Sequence, residues 1–277
     1  MIAWLGTGLL GSGFVRALRK RGEDVHVWNR THARAAALEE HGARAFADVA
    51  DAVRGASRVH VTLSDDAAVD EVLANARAGL AADAIVIDHT TTSVSGSVAR
   101  AAAMRGRFLH APVFMGPQNA LESTGLMLAS GDEALFARTK PALEPMTGKL
   151  HWLGAKSDRA IAFKLIGNMY LMFLQAGFAD MLAFAKAVGV PASEAATLLD
   201  LFNPGASAPA RLKRMIDAQY QPPSWQLAMA RKDARLMGEE GGAALTVLPA
   251  IAARMDAMLA RGHRDDDWSV LGKDSLG

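Results

Sequence analysis

The chain has 277 residues, of which 51% are hydrophobic, and a formal net charge of +1 at pH 7. That length allows one large domain or two modest ones, and the interleaving of basic with acidic residues argues against a nucleic-acid-binding surface. The chain has no cysteine, which excludes disulfides, cysteine nucleophiles and thiolate metal sites. Its 8 histidines lack HxxxH or HExxH spacing, so no metal site is predicted.

The first residues predict the start of a βαβ unit. Residues 1–5 form an apolar run of strand length, residues 6–11 read GTGLLG, residues 12–21 have a helical pattern, and residues 24–28 alternate as a second strand. Because the chain begins with a strand rather than a charged stretch and a long apolar segment, no signal peptide is predicted and a cytoplasmic protein is expected.

The glycines of the GxGxxG turn each have a physical role in binding a dinucleotide. Gly6 permits the tight turn, Gly8 lets a pyrophosphate approach the backbone, and Gly11 lets the helix pack close to the strand. Leu9 and Leu10 lie where the free N–H groups of a helix N-terminus attract phosphate. GxGxxG alone is a weak signal, but its position between a strand and a helix predicts a dinucleotide cofactor.

The residues after the second strand, Asn29, Arg30 and Thr31, bear on the choice of cofactor. NAD sites usually place Asp or Glu here to accept from the ribose hydroxyls, and this chain has neither. Arg30 suits bidentate pairing with a 2′-phosphate, so NADP is predicted over NAD. The alternative is that Arg30 is a solvated surface residue.

Strands and helices continue to alternate up to about residue 153. This alternation predicts an α/β fold with a doubly wound parallel sheet of the Rossmann type. Ligands bind beyond the carboxyl ends of the strands in such sheets, which places Leu63, Ser64, Thr90, Thr91 and the stretch after Pro112 on the rim that carries the glycine turn. The predicted helices are residues 33–40, 48–55, 67–76, 94–105 and 134–144. The predicted strands are residues 58–63, 84–88, 108–113, 126–129 and 150–153.

Residues 158–190 predict one long helix whose middle is nearly all apolar. A helix that is apolar on every side is expected to be buried on every side. Lys164 and Asn168 lie one turn apart on one face, and burying a lysine is costly unless the site uses it. The alternative is a core helix whose Lys164 snorkels out at the helix start. A membrane span is not predicted, because Asp180 and Lys186 interrupt the apolar run.

The remainder of the chain predicts helices only, at residues 193–202, 208–218, 227–240 and 248–261. The change in composition gives a cofactor domain at residues 1–157 and an all-helical domain at residues 158–277. A buried lysine at their junction predicts a cleft where the nicotinamide of the cofactor meets a small-molecule substrate.

Several short segments, spread in order along nearly the whole chain, resemble the β-hydroxyacid dehydrogenase family, whose best-known member is 3-hydroxyisobutyrate dehydrogenase. They are GTGLLG at 6–11, WNRT at 28–31, DHTTT at 88–92, APVFMG at 111–116, KLIGN at 164–168 and Lys232-Asp233. The resemblance implies a Rossmann domain and an all-helical domain of the 6-phosphogluconate dehydrogenase-like kind, joined by a long helix. It also implies a homodimer or homotetramer.

The resemblance implies roles for individual residues. Lys164 matches the catalytic lysine, and Asn168 would help to hold the substrate oxygen. Thr91 and Lys232 would line the nicotinamide end of the cleft, although Lys232 alone reads as a surface lysine. The cofactor-contacting loop of the family corresponds to Leu63 and Ser64.

The loop formed by Phe114, Met115 and Gly116 departs from the family pattern and is the predicted substrate-binding segment. The family usually has Ser-Gly-Gly there, whose hydroxyl and backbone N–H groups hold a carboxylate. Phe114 and Met115 either pack into the core or line an apolar substrate pocket, and the pocket is slightly favoured. Gly167 replaces a usual asparagine, while Asn168 is kept.

These features together predict an NADP-dependent oxidoreductase. It would transfer hydride between NADPH and a small aldehyde, ketone or β-hydroxy acid, with Lys164 as proton donor or acceptor. Two alternatives stay open. The first is an imine reductase of related fold, which the apolar loop favours and the retained Lys164 opposes. The second is a non-catalytic dinucleotide-binding protein, which the Lys164–Asn168 pair opposes.

Overall fold

The computed structural model describes residues 1–276 and divides the chain into two compact units. These are Met1–Asn168 and Met169–Gly277. The division falls inside the long helix, whereas the change in composition falls just before the helix begins at Arg159.

The first unit contains all the strands and the first seven helices, and it shares the eighth helix with the second unit. The strands are β1 (Ile2–Leu5), β2 (Val25–Trp28), β3 (Arg44–Phe46), β4 (Arg58–Val61), β5 (Ile85–Asp88), β6 (Phe108–His110), β7 (Val113–Phe114), β8 (Leu126–Ala129) and β9 (Lys149–Trp152). The helices are α1 (Leu9–Lys20), α2 (His32–Ala36), α3 (Val49–Val53), α4 (Asp66–Ala76), α5 (Val94–Ala103), α6 (Pro117–Glu122), α7 (Glu133–Leu143) and α8 (Arg159–Ala187).

Strands β1 to β6 form a six-stranded parallel sheet in the order β3-β2-β1-β4-β5-β6. This order reverses direction between β1 and β4, as in a doubly wound Rossmann sheet, and it confirms the predicted fold class. Apolar side chains of both sheet faces are buried, including Trp4 and Ile87 on one face and Leu5 and Val61 on the other. The carboxyl ends of β1, β2 and β4 therefore meet at one edge.

The stretch predicted to be extended at residues 108–113 is not one strand, because it breaks at Pro112. Proline has no N–H group to donate to a ladder, and the pairing of β6 with β5 ends at His110, before it. Residues before the break belong to β6, and residues after it form β7 of a second, three-stranded sheet in the order β7-β8-β9. β7 pairs antiparallel with β8. The segments at 126–129 and 150–153 therefore build this small sheet rather than extend the large one.

The second unit is helical in the part that the structure describes. Its helices are α9 (Ala192–Ala196), α10 (Leu198–Leu201), α11 (Ala208–Ile216), α12 (Leu227–Gly241) and α13 (Leu248–Ala260). Asp180 of α8 caps the start of α13, since its carboxylate accepts from the N–H groups of Thr246, Val247 and Leu248 at 2.8–2.9 Å. An acidic residue in an otherwise apolar helix thus satisfies the free donors of another helix N-terminus.

Helix α8 is not buried on every side within the chain, so that prediction is wrong for the single copy. Met172 is 67% exposed and Phe173 is 63% exposed, and most of their apolar neighbours on α8 are exposed as well. Among the described residues α8 alone has the length and apolar composition to cross a bilayer, a property that core helices share. The exposed surface runs along α8 from Phe163 to Leu182.

Two buried histidines lie at the centre of the first unit. His60 Nδ1 is 3.0 Å from His89 Nε2, and His89 Nδ1 is 2.7 Å from the carbonyl oxygen of Ala111. Because a carbonyl only accepts, His89 donates from Nδ1, and in the neutral ring its Nε2 accepts from Nδ1–H of His60. Desolvation by burial lowers the pKa of His60 well below its usual value and that of His89 to about 4.

We expect the free energy of unfolding to fall as the pH is lowered from 6.5 towards 4. In that range the side chain of His89 binds a proton in the unfolded chain but not in the folded one. His89 alone therefore lowers the free energy of unfolding by about 3 kcal/mol between pH 6.5 and pH 4. Burial raises the pKa of Asp88. Its contribution to the free energy of unfolding has the opposite pH dependence and is lost as the pH rises. Denaturant titrations should show a smaller pH dependence for His89→Asn than for the wild type or the exposed-site control His151→Asn. Equal slopes in all three would contradict this account.

Candidate functional site

The carboxyl ends of β1, β2 and β4 form a cleft of about 340 Å³ in the first unit. Several of the predicted cofactor-binding residues line it together. They are Gly6, Gly8, Asn29, Arg30, Thr31, Leu63 and Ser64. Its other lining residues are Trp28, Arg34, Thr62, Ala68, Glu71, Val72 and Asn75.

The geometry of the glycine turn agrees with its predicted use. Gly6 has a φ of +97°, and a Cβ there would lie 2.1 Å from the carbonyl oxygen of Thr62. A Cβ on Gly11 would lie 2.1 Å from the carbonyl oxygen of Gly6. Gly8 differs, because a Cβ on it would meet nothing within 4 Å. Gly6 and Gly11 are therefore required by the fold, whereas Gly8 leaves open space beside the N-terminus of α1.

We expect Gly8→Ala and Gly11→Ala to separate cofactor binding from folding. Gly8→Ala should keep the melting temperature of the wild type and weaken NADPH binding at least about 10-fold, because the methyl group occupies the approach of the pyrophosphate. Gly11→Ala should lower the melting temperature itself, because its Cβ overlaps backbone. Thermal unfolding and NADPH fluorescence titration measure the two effects. An unchanged NADPH affinity in Gly8→Ala would show that no phosphate lies there.

Leu9 and Leu10 differ in their surroundings. Leu9 is 81% exposed and lines a second cleft of about 540 Å³ beside the first, together with Gly8 and Arg34. Leu10 packs against the core. Any contact of Leu10 with the cofactor is therefore made by its backbone at the start of α1.

Asn29 connects the glycine turn to the loop after β2. Its side-chain oxygen accepts from the N–H of Thr7 at 3.1 Å, and its side-chain nitrogen donates to the carbonyl of Thr31 at 3.0 Å. The side-chain amide of Asn29 thus connects the loop after β1 with the loop after β2 and fixes their relative position. The hydroxyl of Thr7 is buried without a hydrogen-bond partner among the described residues, which leaves a polar atom in the turn for a ligand.

Arg30 and Arg34 give the cleft its positive charge. Neither has a carboxylate within 4.0 Å among residues 1–276, so both guanidinium groups are available to an anion. Arg34 was not predicted, and it borders both clefts. Arg34 belongs to the short helix α2, which begins two residues after Arg30, and this closeness in sequence is the signal that could have indicated it.

Thr62 and Thr90 hold the rim of the cleft. The sequence places Thr90 on this rim, whereas Thr62 was missed. The hydroxyl of Thr62 accepts from the indole of Trp4 at 2.8 Å and donates to the carbonyl of Gly6 at 2.6 Å. The hydroxyl of Thr90 accepts from the N–H of Leu63 at 3.0 Å. Thr91 follows directly and is partly buried outside the cleft lining. These bonds join the loops after β1, β4 and β5.

Lys164 lies in the second turn of α8 and is 9% exposed. Its Nζ is 4.1 Å from the centre of the Phe114 ring and has no carboxylate within 4.0 Å among the described residues. Desolvation by burial lowers its pKa from the ordinary lysine value. Asn168, one turn further along the helix, is partly buried. A buried ammonium group without a counter-ion is costly, which points to chemistry rather than to stability.

The two large side chains of the predicted substrate loop have different surroundings, and each fits one of the two interpretations left open for the loop. Met115 packs against the core, as in the first interpretation. Phe114 instead lies against Lys164. The N–H of Gly116 donates to the side-chain oxygen of Asn119 at 2.9 Å, at the start of α6. Lys232 belongs to α12 in the second unit, where it pairs with Asp233 at 2.8 Å, and its predicted role stays a prediction.

The described residues contain no group of three or more His, Cys, Asp or Glu side chains placed to hold a metal ion. The residues of the two neighbouring clefts do fit a dinucleotide phosphate. They include an open glycine at a helix N-terminus and, within residues 1–276, a hydroxyl without a hydrogen-bond partner and two arginines without carboxylate partners.

Comparison with known proteins gives a consistent result. Residues 1–154 match the family profile described as the NAD binding domain of 6-phosphogluconate dehydrogenase. The chain is 28% identical over 284 residues to glyoxylate/succinic semialdehyde reductase 1 of Arabidopsis thaliana, covering 98% of this chain and 96% of that protein. Its fold is similar to that of the imine reductase from Myxococcus stipitatus in complex with NADP+, with a TM-score of 0.90, 20% identity and 99% of each chain covered. The V8 variant of that imine reductase in complex with NAD+ has a TM-score of 0.86 at 20% identity, covering 99% of this chain and 98% of that one.

Proposed function

Because the chain belongs to the β-hydroxyacid dehydrogenase family, we propose that it is an NADP-dependent reductase of small carbonyl compounds. It is an NAD(P)-dependent oxidoreductase with the 6-phosphogluconate dehydrogenase-like fold. The relative from Arabidopsis thaliana is named as a reductase of glyoxylate and succinic semialdehyde, which supports an aldehyde as the substrate. The observation that carries the proposal is the buried Lys164, which has no counter-ion within 4.0 Å in the part of the chain that the structure describes.

Lys164 provides the proton chemistry of the proposed reaction. NADPH, when bound, supplies a hydride to the carbonyl carbon. The protonated Nζ of Lys164 stabilises the negative charge that develops on the carbonyl oxygen and then transfers a proton to that oxygen. In the reverse direction neutral Lys164 accepts the proton, and the lowering of its pKa by burial favours that role. Asn168, one turn along the helix, holds the same oxygen by a hydrogen bond.

NADP is the proposed cofactor because of Arg30 and Arg34. Both line the cleft after β2, and the loop there has no acidic residue to accept from a ribose 2′-hydroxyl. Two guanidinium groups free of carboxylate partners are suited to a 2′-phosphate.

The proposal is tested by NADPH oxidation over a panel of substrates with purified protein. The panel contains glyoxylate, succinic semialdehyde, methylmalonate semialdehyde, apolar aldehydes and a cyclic imine. Steady turnover of at least one aldehyde supports the proposal. Tight NADPH binding without turnover of any compound would instead support a non-catalytic dinucleotide-binding protein.

An imine reductase is the second candidate, and the ring of Phe114 favours it. An apolar group beside the proton donor suits the apolar substituents of a cyclic imine. Turnover of the cyclic imine at a rate above that of every aldehyde in the panel would establish this candidate in place of the first.

We also propose that α8 is covered by a second copy of the chain, giving a homodimer. The exposed apolar residues of α8 form one continuous surface, whereas ordinary monomers expose apolar residues singly. The family resemblance also implies a dimer or tetramer. Met172→Glu should shift the protein towards the monomer mass in light scattering, because a buried carboxylate without a partner is costly. Val98→Glu, an exposed apolar position on α5, is the control. A wild type that is monomeric, or that floats with lipid vesicles, would contradict the dimer.

A further inference from the structure

The ring of Phe114 covers one side of the ammonium group of Lys164. Its centre is 4.1 Å from Nζ, well within the ~6 Å reach of a cation–π contact. The backbone of Phe114 is fixed in β7, where it pairs with Leu126 of β8. The ring is therefore held at the amino group by the small sheet rather than by a mobile loop.

Gly167 is the residue that makes room for this ring. A Cβ on Gly167 would lie 2.3 Å from Cζ and 2.7 Å from Cε1 of Phe114, which is closer than real side chains approach. Any side chain at position 167 therefore displaces the ring from Lys164. Gly177 on the same helix behaves differently, since a Cβ there would meet nothing within 4 Å. The two departures from the family pattern, at positions 114 and 167, therefore depend on each other: the ring at 114 needs a glycine at 167.

The same loop offers little to hold a substrate carboxylate. Positions 114–116 carry no hydroxyl, and the N–H of Gly116 is already bonded to Asn119. The side chain of Met115 packs against the core. A substrate carboxylate held by this loop would lie near the ring of Phe114, where it loses water without gaining a donor.

From this geometry we propose that Phe114, seated on Gly167, sets the substrate class of the enzyme. The pair favours aldehydes and ketones with an apolar substituent and disfavours oxo acids. The inference rests on the proposed carbonyl reduction at Lys164, and it departs from the substrates for which the Arabidopsis thaliana relative is named.

Two aldehydes of equal size test the substrate class. Succinic semialdehyde and 4-methylpentanal differ in that a carboxylate replaces an isopropyl group of nearly the same shape. We expect the wild type to have a kcat/KM for 4-methylpentanal at least about 10-fold above that for succinic semialdehyde, because a buried carboxylate without a partner is costly. Equal values, or a preference for succinic semialdehyde, would overturn the inference while leaving carbonyl reduction intact.

A double-mutant cycle tests the coupling of the two positions. Phe114→Ala and Gly167→Ala should each lower the ratio of the two kcat/KM values, since both remove the ring from Lys164. The double variant should be no lower than Phe114→Ala alone, because the methyl group at 167 then has no ring to displace. Gly238→Ala, a control on α12 where a Cβ also meets nothing within 4 Å, should keep the wild-type ratio. Independent, additive effects of the two substitutions would show that Gly167 does not seat the ring.

Binding of the alcohols in a dead-end complex with NADPH separates failure of this inference from failure of the proposed function. If neither aldehyde is reduced, the proposed carbonyl reduction fails, and calorimetry of the NADPH complex with 4-methylpentan-1-ol and 4-hydroxybutanoate still measures the preference of the pocket. Tighter binding of 4-methylpentan-1-ol supports an apolar site at Phe114. Tighter binding of 4-hydroxybutanoate, or no binding of either alcohol, overturns it.

Discussion

Replacing Lys164 by alanine should lower kcat for carbonyl reduction by a factor of about 10³, the range expected when a positioned general acid is removed. The affinity for NADPH should stay nearly unchanged, because Lys164 lies on α8 and outside the cleft formed by β1, β2 and β4. Lys164→Met should give the same loss while keeping the apolar stem that packs beside Phe114. Steady-state kinetics and NADPH fluorescence titration measure the two quantities separately.

The control for Lys164 is Lys186→Ala, an exposed lysine in the last turn of the same helix, which should keep wild-type kcat. The wild type should also lose kcat/KM for reduction as the pH rises through the pKa of Lys164, which burial sets below 10.5. This alkaline limb should be absent from the residual activity of Lys164→Met. Activity that survives both substitutions at Lys164 would refute the assignment of the proton donor.

Replacing Arg30 and Arg34 by alanine should remove the preference for NADPH over NADH. Each charge-assisted contact with a phosphate contributes about 1.5–3 kcal/mol, so each single variant should weaken NADPH binding roughly 10- to 100-fold. NADH has no 2′-phosphate, and its dissociation constant should change little. Dissociation constants for both cofactors, measured by fluorescence titration in each variant, give the change in preference directly.

Arg54→Ala is the matched control, because Arg54 is an exposed arginine paired with Asp51 and lies outside the cleft. It should keep wild-type affinity for both cofactors. Similar dissociation constants for NADPH and NADH in the wild type would contradict the proposed cofactor. A loss of NADH binding equal to that of NADPH in Arg30→Ala would show that Arg30 supports the loop rather than a phosphate.

Much of the first unit follows from local pattern alone. The apolar run before GTGLLG, the helix after it and the strand at β2 are adjacent in sequence, and the periodicity of each is complete within the segment. The cleft could be predicted from the sequence as well. Parallel strands bring the residues after β1, β2 and β4 to one edge of the sheet, whatever the details of side-chain packing. Seven predicted cofactor residues line that cleft for this reason.

Other features depend on contacts that the sequence does not reveal locally. β3 has three residues and β7 has two, too few for a periodic pattern, and they exist only through pairing with β2 and β8. Helix α6, with a proline in its first turn, lay in a segment that predicted no element. The roles of Thr62 and Thr90 likewise come from hydrogen bonds across at least 27 residues of sequence.

The seating of Phe114 on Gly167 shows the same limit at the candidate site. The sequence indicated two separate departures from the family pattern, one in a loop and one on a helix. Their connection is a distance of 2.3 Å between a virtual Cβ and a ring carbon, separated by 53 positions in the chain, and only the folded structure provides it. The sequence also predicted that α8 is buried within the chain. Its apolar composition indicates that its surface needs an apolar partner, but composition does not specify whether the same chain or a second copy provides that partner.

The measurement that tests the central claim most directly is the fate of labelled hydride in wild-type enzyme and in Lys164→Met. NADPH deuterated at C4 of the nicotinamide is incubated with 4-methylpentanal and succinic semialdehyde, and the products are analysed by mass spectrometry. The account predicts alcohol carrying deuterium at the former carbonyl carbon, formed about 10³-fold more slowly by Lys164→Met. Alcohol formed at equal rates by both proteins, or NADPH bound without any labelled product, would contradict it.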